Sequence, residues 1–130
     1  KFANLLKEKK IKSIKLPVSA PFHCELMDSA TAKMKTIIKN QEIVTPRYKV
    51  VSNVTAKEYK SGEEIKELLV KQIESPVRWR ESIEHMIKQG TNTFIEIGPG
   101  KVLSGLIKRI NKEVKVLNID AVEDIQDIKI

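Results

Sequence analysis

The sequence predicts an α/β fold with a mainly parallel sheet, on three observations. Runs rich in β-branched residues alternate with stretches of helical apolar spacing. No Asn-Gly or Asp-Gly pair joins two strand-like runs as a hairpin would. The last unit reads strand, glycine turn, helix, strand. At 130 residues the chain is long enough for one hydrophobic core and too short for two of ordinary size. One domain, or one piece of a domain, is expected.

Taken in order, residues 1–9 read as the end of a helix, because Phe2, Leu5 and Leu6 have helical spacing with no capping residue before them. The chain is thus expected to begin inside an element, as a fragment would. From Ser13 to Val18, Ile14, Leu16 and Val18 alternate with polar neighbours as in a half-buried strand, and Pro17 argues for a strand end. After a turn at Ser19-Ala20-Pro21-Phe22, the spacing of Leu26, Ala30, Met34, Ile37, Ile38 and Gln41 predicts an amphipathic helix to about Asn40. Tyr48 to Asn53, with Val50 and Val51, predicts a second strand.

Ser61, three residues before Glu64, forms a capping box for a helix whose stripe is Ile65, Leu68, Leu69, Gln72 and Ile73. Ser75 and Pro76 supply an N-cap and first-turn proline for the next helix, with Trp79, Ile83, Met86 and Ile87 on one face and Gly90 as its stop. Thr93 to Ile97 reads as a strand and Gly98-Pro99-Gly100 as a turn. Val102, Leu103, Leu106, Ile107 and Ile110 form a helical face, and Val114 to Ile119 closes the unit as a strand. The tail from Ala121 alternates acidic residues with isoleucines and is left unplaced.

Composition narrows the function. With 24 Lys+Arg against 17 Asp+Glu the formal charge is +7, which invites an acidic partner. Nucleic acid is disfavoured, because aromatics are 5% and the lysines scatter along polar helix faces without a stacking platform. The single cysteine, Cys24, excludes an intrachain disulfide and a cysteine-rich metal site and fits a reducing compartment. No apolar run approaches the ~20 residues needed to span a membrane, and no signal peptide is visible, so a cytoplasmic protein is expected.

His23 is the first residue to question, since it sits on a turn between a predicted strand and a predicted helix. It reads either as a hydrogen-bonded structural residue beside Phe22 or as a general base, and a base needs a further group to fix its tautomer. Gln72 is a candidate neighbour, because an amide on an apolar stripe must find a partner or lose roughly 1–3 kcal/mol of solvation. Bonding to nearby backbone is the plainer alternative. Cys24 reads as a small buried residue, since adjacent residues of an extended chain point to opposite sides. His85 falls off the apolar face of its helix and reads as solvated. Two separated histidines without a carboxylate at ligand spacing make a weak metal site, and none is expected.

Gly98-Pro99-Gly100-Lys101 fails both phosphate fingerprints. A Walker loop needs Gly where Ile95 stands and Ser or Thr where Val102 stands, and a dinucleotide loop needs Gly where Leu103 stands. What remains is a tight turn, with Gly105 a possible site of close helix packing. No G-x-S-x-G elbow occurs in the chain. If His23 is a base, its nucleophile lies in other sequence.

Four segments, LPVSAPFHCELM, VVSNVTAKEY, LLVKQIESPVRW and FIEIGPGKVLSGLIKRI, resemble in that order the C-terminal part of the bacterial malonyl-CoA:acyl carrier protein transacylase family. The resemblance runs from Ser13 to about Asn118. It implies the C-terminal portion of an α/β-hydrolase-like acyltransferase domain. Residues 1–18 would be the end of a ferredoxin-like small subdomain and the return to the main domain, and 19–130 the main domain.

The chemistry implied is transfer of malonyl from coenzyme A to the phosphopantetheine thiol of acyl carrier protein, through a serine acyl-enzyme, in fatty acid biosynthesis. The resemblance makes His23 the catalytic base that activates the serine, and makes Gln72 a residue that orients it through its main-chain carbonyl. Phe22 matches the phenylalanine of a signature in related polyketide synthase domains, where it excludes an α-branched acyl group. Ala20 stands in place of that signature's first histidine, which loosens the substrate inference. The family's serine, malonyl-binding arginine and oxyanion glutamine have no counterpart here. The implied partners are malonyl-CoA as substrate, acyl carrier protein and the N-terminal part of the same enzyme. No cofactor, metal, nucleic acid or membrane is implied, and the whole enzyme is expected to be monomeric. The fragment alone is expected to be inactive. The alternative is a noncatalytic module that keeps the fold and binds acyl carrier protein.

Overall fold

The computed structural model describes residues 2–14, 18 and 20–126. Helix α1 (Phe2–Glu8) buries no residue and packs on no other element among the described residues. The strand expected from Ser13 to Val18 lies largely outside the described residues, and Ser13, Ile14 and Val18 are irregular. A single 3-10 turn (Glu25–Met27) leads directly into α2 (Asp28–Lys39).

Helix α3 (Gly62–Lys71) packs against α2, with Ile38, Ile65 and Leu68 buried. The Ser61 hydroxyl accepts the Glu64 N–H at 3.2 Å, as the capping motif requires. The reciprocal bond differs from the expected box: the Glu64 carboxylate takes the N–H of Lys60 at 2.6 Å rather than that of Ser61. Gly62 is required by space, because a β-carbon there would run into the Ile43 carbonyl.

Helix α4 (Trp79–Lys88) starts later than its sequence signals suggest. Ser75 does not cap it; the Ser75 N–H instead bonds back to the Lys71 carbonyl and so ends α3, and Arg78 is the capping residue. The stop falls where expected, with Gly90 at φ +96 and the Thr91 N–H closing onto the Met86 carbonyl at 3.0 Å.

Strand β1 (Thr93–Ile97), helix α5 (Val102–Ile110) and strand β2 (Lys115–Ile119) form the expected strand-helix-strand unit, and the two strands are parallel in register Thr93 to Lys115. Helices α4 and α5 bury the core of this half: Ile83, Phe94, Ile107 and Val114, flanked by Trp79, Met86 and Ile110. The second expected strand, Tyr48 to Asn53, is reduced to one antiparallel bridge between Val51 and Glu58. Its β-branched residues favour extended backbone, but the chain folds back on itself there and no neighbouring strand pairs with it among the described residues.

Several predicted apolar positions stand bare. Ile97, Val102 and Leu26 are each more than 70% exposed, and Met34 and Ile37 on α2 are exposed as well. Gly105 admits no close helix, contrary to expectation: nothing lies within 4 Å of the position a β-carbon would take.

Candidate functional site around His23

His23 takes φ +62, the left-handed region in which a β-carbon crowds the following carbonyl at a cost of about 1–2 kcal/mol. Two contacts hold it there. Its backbone N–H donates to the Ile73 carbonyl at 3.2 Å, and its ring Nδ1 lies 3.0 Å from the Gln72 carbonyl oxygen. Gln72 is the C-terminal cap of α3. The last carbonyls of a helix have no intrahelical partner, so His23 bonds to acceptors that α3 leaves open.

A carbonyl oxygen can only accept, so Nδ1 carries the hydrogen of this bond. The neutral imidazole then has its lone pair on Nε2. Nε2 makes no hydrogen bond among the described residues, and the residue is exposed. The arrangement presents a proton acceptor of fixed tautomer to open space.

The side chain of Gln72 has a separate task. Its Oε1 accepts a hydrogen bond from Asn53 Nδ2 at 3.2 Å, which satisfies the amide that sequence reasoning found anomalous on an apolar stripe. Asn53 also uses its main chain, since its carbonyl accepts the Arg78 N–H at 2.9 Å at the start of α4. Asn53 escaped the sequence reading because it closed an expected strand. The only signal was its polar amide at the end of a β-branched run.

Phe22 is 57% exposed, on the turn next to His23. Cys24 is half-buried and donates its thiol to the Pro21 carbonyl at 3.1 Å, so its hydrogen bond goes to the turn and not to the imidazole. His85 is not solvated as expected. It is half-buried and its Nε2 lies 2.9 Å from the Glu58 carboxylate, joining α4 to the Val51–Glu58 bridge. The Glu58 carboxyl is held below the usual carboxylate range by its own backbone N–H and by His85. Among the described residues no group of three or more His, Cys, Asp or Glu is placed to hold a metal ion.

The glycine turn is structural. Gly98 and Gly100 take φ +133 and +91, which glycine alone adopts readily. Asp120 accepts the Gly100 N–H at 2.8 Å, and Asn118 donates to the Gly100 carbonyl at 2.8 Å. The first-turn amides of α5 that would cradle an anion are already taken: the Glu96 carboxylate accepts the N–H groups of Leu103 at 3.0 Å and Ser104 at 2.8 Å. Ser104 and the Leu103 amide hold the Glu96 carboxyl below its usual range. Sequence reasoning missed Glu96, although an acidic residue at a strand end just before a helix start is the signal for such a cap.

The comparisons with known proteins agree with the sequence resemblance. The chain is 45% identical over 115 residues to the malonyl CoA-acyl carrier protein transacylase of Bacillus subtilis, covering 88% of this chain and 36% of that protein. An acyl carrier protein S-malonyltransferase from Vibrio cholerae superposes with a TM-score of 0.87 at 38% identity, over 97% of this chain and 42% of that one. A structure of a type II PKS acyl-carrier protein in complex with its malonyl-transacylase matches with a TM-score of 0.84 at 38% identity, over 95% of this chain and 40% of that one. No family model matches the sequence. The chain therefore spans about a third of the length of the curated relatives it matches, and its α/β fold corresponds to a C-terminal portion of the acyltransferase domain.

Proposed function

We propose that this chain supplies the general base of a malonyl-CoA:acyl carrier protein transacylase whose nucleophilic serine lies in a complementary N-terminal portion. The observation that carries this reading is the 3.0 Å contact between Nδ1 of His23 and the Gln72 carbonyl, which leaves the Nε2 lone pair free for a proton. In the step envisaged, Nε2 takes the serine proton as its oxygen attacks the malonyl thioester. The Gln72 carbonyl stabilises the imidazolium, and the proton then goes to the departing coenzyme A sulfur. In the return half-reaction Nε2 takes the proton of the phosphopantetheine thiol, the thiolate attacks the serine ester, and the departing serine oxygen takes that proton back from Nε2. Phe22, exposed beside His23, would crowd a branched acyl group. The similarity to a transacylase solved with its acyl-carrier protein supports that class of partner.

The bare apolar faces around Leu26, Ile97 and Val102 give the complementary portion somewhere to sit. The test joins this chain to the N-terminal portion of the Bacillus subtilis relative. Replacing His23 with Ala in that protein should lower acyl-enzyme formation by about 10²–10⁴-fold while the thermal transition persists. An unchanged rate would sink the base assignment. Malonyl transfer by the chain alone would show that its nucleophile is not elsewhere.

A further inference from the structure

We propose that Asn53 is a positioning residue for His23, acting through Gln72. This rests on reading His23 as the base. The Gln72 carbonyl that fixes the imidazole sits at the C-terminal cap, where the helix bonds end: beyond it the chain passes into turn-like bonds from Ile73 to Val70 and from Glu74 to Lys71. Helix ends fray, and the direction of a terminal carbonyl follows its peptide plane. The Asn53 carboxamide ties the side chain of the same residue from 3.2 Å, in a half-buried position where water competes less well.

Asn53 is itself restrained. Its carbonyl accepts the Arg78 N–H at 2.9 Å, and the Arg78 guanidinium returns to the Thr55 carbonyl at 3.2 Å. The Ser52 hydroxyl accepts the Val54 N–H at 3.1 Å within the same loop. A rigid loop thus grips the residue whose carbonyl sets the tautomer of His23.

The chemistry separates positioning from bulk stability. Replacing Gln72 with Ala keeps the carbonyl and removes only the tethered amide. Replacing Asn53 with Ala removes the same bond from the other side. If Asn53 works through Gln72, either change should raise the population of the tautomer protonated at Nε2, and the double substitution should add nothing to the single ones.

The experiment reads the nitrogen chemical shifts of the His23 ring by NMR in the 130-residue chain, alongside its melting temperature. In the joined enzyme, kcat for malonyl transfer should fall about tenfold with KM unchanged. A melting shift with the ring nitrogens unmoved in both single variants would overturn the proposal, since it would show a merely structural bond. Should Asn53→Ala fail to fold, Gln72→Ala alone gives the answer. The two readings fail differently. If the ring nitrogens respond but His23→Ala keeps full activity, the positioning stands and the base assignment falls; if His23→Ala abolishes transfer and the ring nitrogens do not respond, the reverse holds.

Discussion

The left-handed backbone of His23 can be tested without any substrate, by comparing His23→Gly with His23→Ala. Both variants lose the imidazole and its bond to the Gln72 carbonyl, and the exposed site lets water take the vacated acceptor in each. They differ only in the β-carbon at φ +62. That carbon costs about 1–2 kcal/mol in the left-handed region, against which glycine loses roughly 0.5–1 kcal/mol more backbone entropy on folding. Taking the midpoints of these ranges, the glycine variant should be the more stable by about 0.7 kcal/mol, or about 2–4 °C in melting temperature for a chain of this size. Urea titration of the two, with equal slopes, measures the difference directly. An alanine variant as stable as the glycine variant would refute the claim that strain is stored at this residue. Strain at a residue whose neighbours over-determine its conformation is the pattern expected of a working site.

Gly62 offers an opposite sign test, because helix propensity alone says that Ala in its place should stabilise α3. Collision with the Ile43 carbonyl should instead make Gly62→Ala destabilising by about 1–3 kcal/mol, and a raised melting temperature would contradict the close approach. The lowered carboxyls of Glu96 and Asp124, held respectively by Ser104 with the Leu103 amide and by the N–H groups of Ala121 and Asp120, give a pH prediction. Their stabilising effect is complete above the ordinary carboxylate range and is lost as pH falls through their lowered values, so stability should drop below about pH 4. Glu96→Gln should be less stable at neutral pH and lose less on acidification; an acid limb identical to the parent's would count against the cap.

The helices were legible because apolar spacing and caps are written within one turn of chain. Ser61 announced α3 and Gly90 ended α4, each through a bond closed over a few residues. The start of α4 was misread for the same reason: Ser75-Pro76 is a sound local signal, but the Ser75 N–H completes the end of α3, and the start of α4 is set by the Arg78 N–H reaching Asn53. Strand propensity at Tyr48 to Asn53 likewise had no partner to realise it beyond Glu58 among the described residues. The contact that defines the candidate site joins residues 49 positions apart. No spacing rule covers that distance, and an acceptor supplied by the main chain leaves no trace in residue type. Gln72 drew notice for its side chain, which bonds to Asn53. Only the ordered segments of the resemblance pointed to its carbonyl.

The restraints on His23 also separate what this chain can do from what it cannot. Every group that fixes the imidazole comes from within it: the carbonyls of Gln72 and Ile73, the amide of Asn53 behind Gln72, and Arg78 behind Asn53. Those bonds link the end of α3 to the start of α4. The imidazole is thus held in one tautomer by this chain's own groups. The sheet, by contrast, has only two strands among the described residues, with Ile95 and Ile97 exposed and the side of α5 carrying Val102 and Leu103 uncovered. A tautomer can be set by a handful of hydrogen bonds, whereas a parallel sheet needs both faces covered to be stable. On this reasoning, association with a complementary portion should change the stability of β1 and β2 far more than the orientation of His23. Amide exchange measured with and without that portion should show protection gained in Thr93–Ile97 and Lys115–Ile119, with the ring nitrogens of His23 already in their final tautomer.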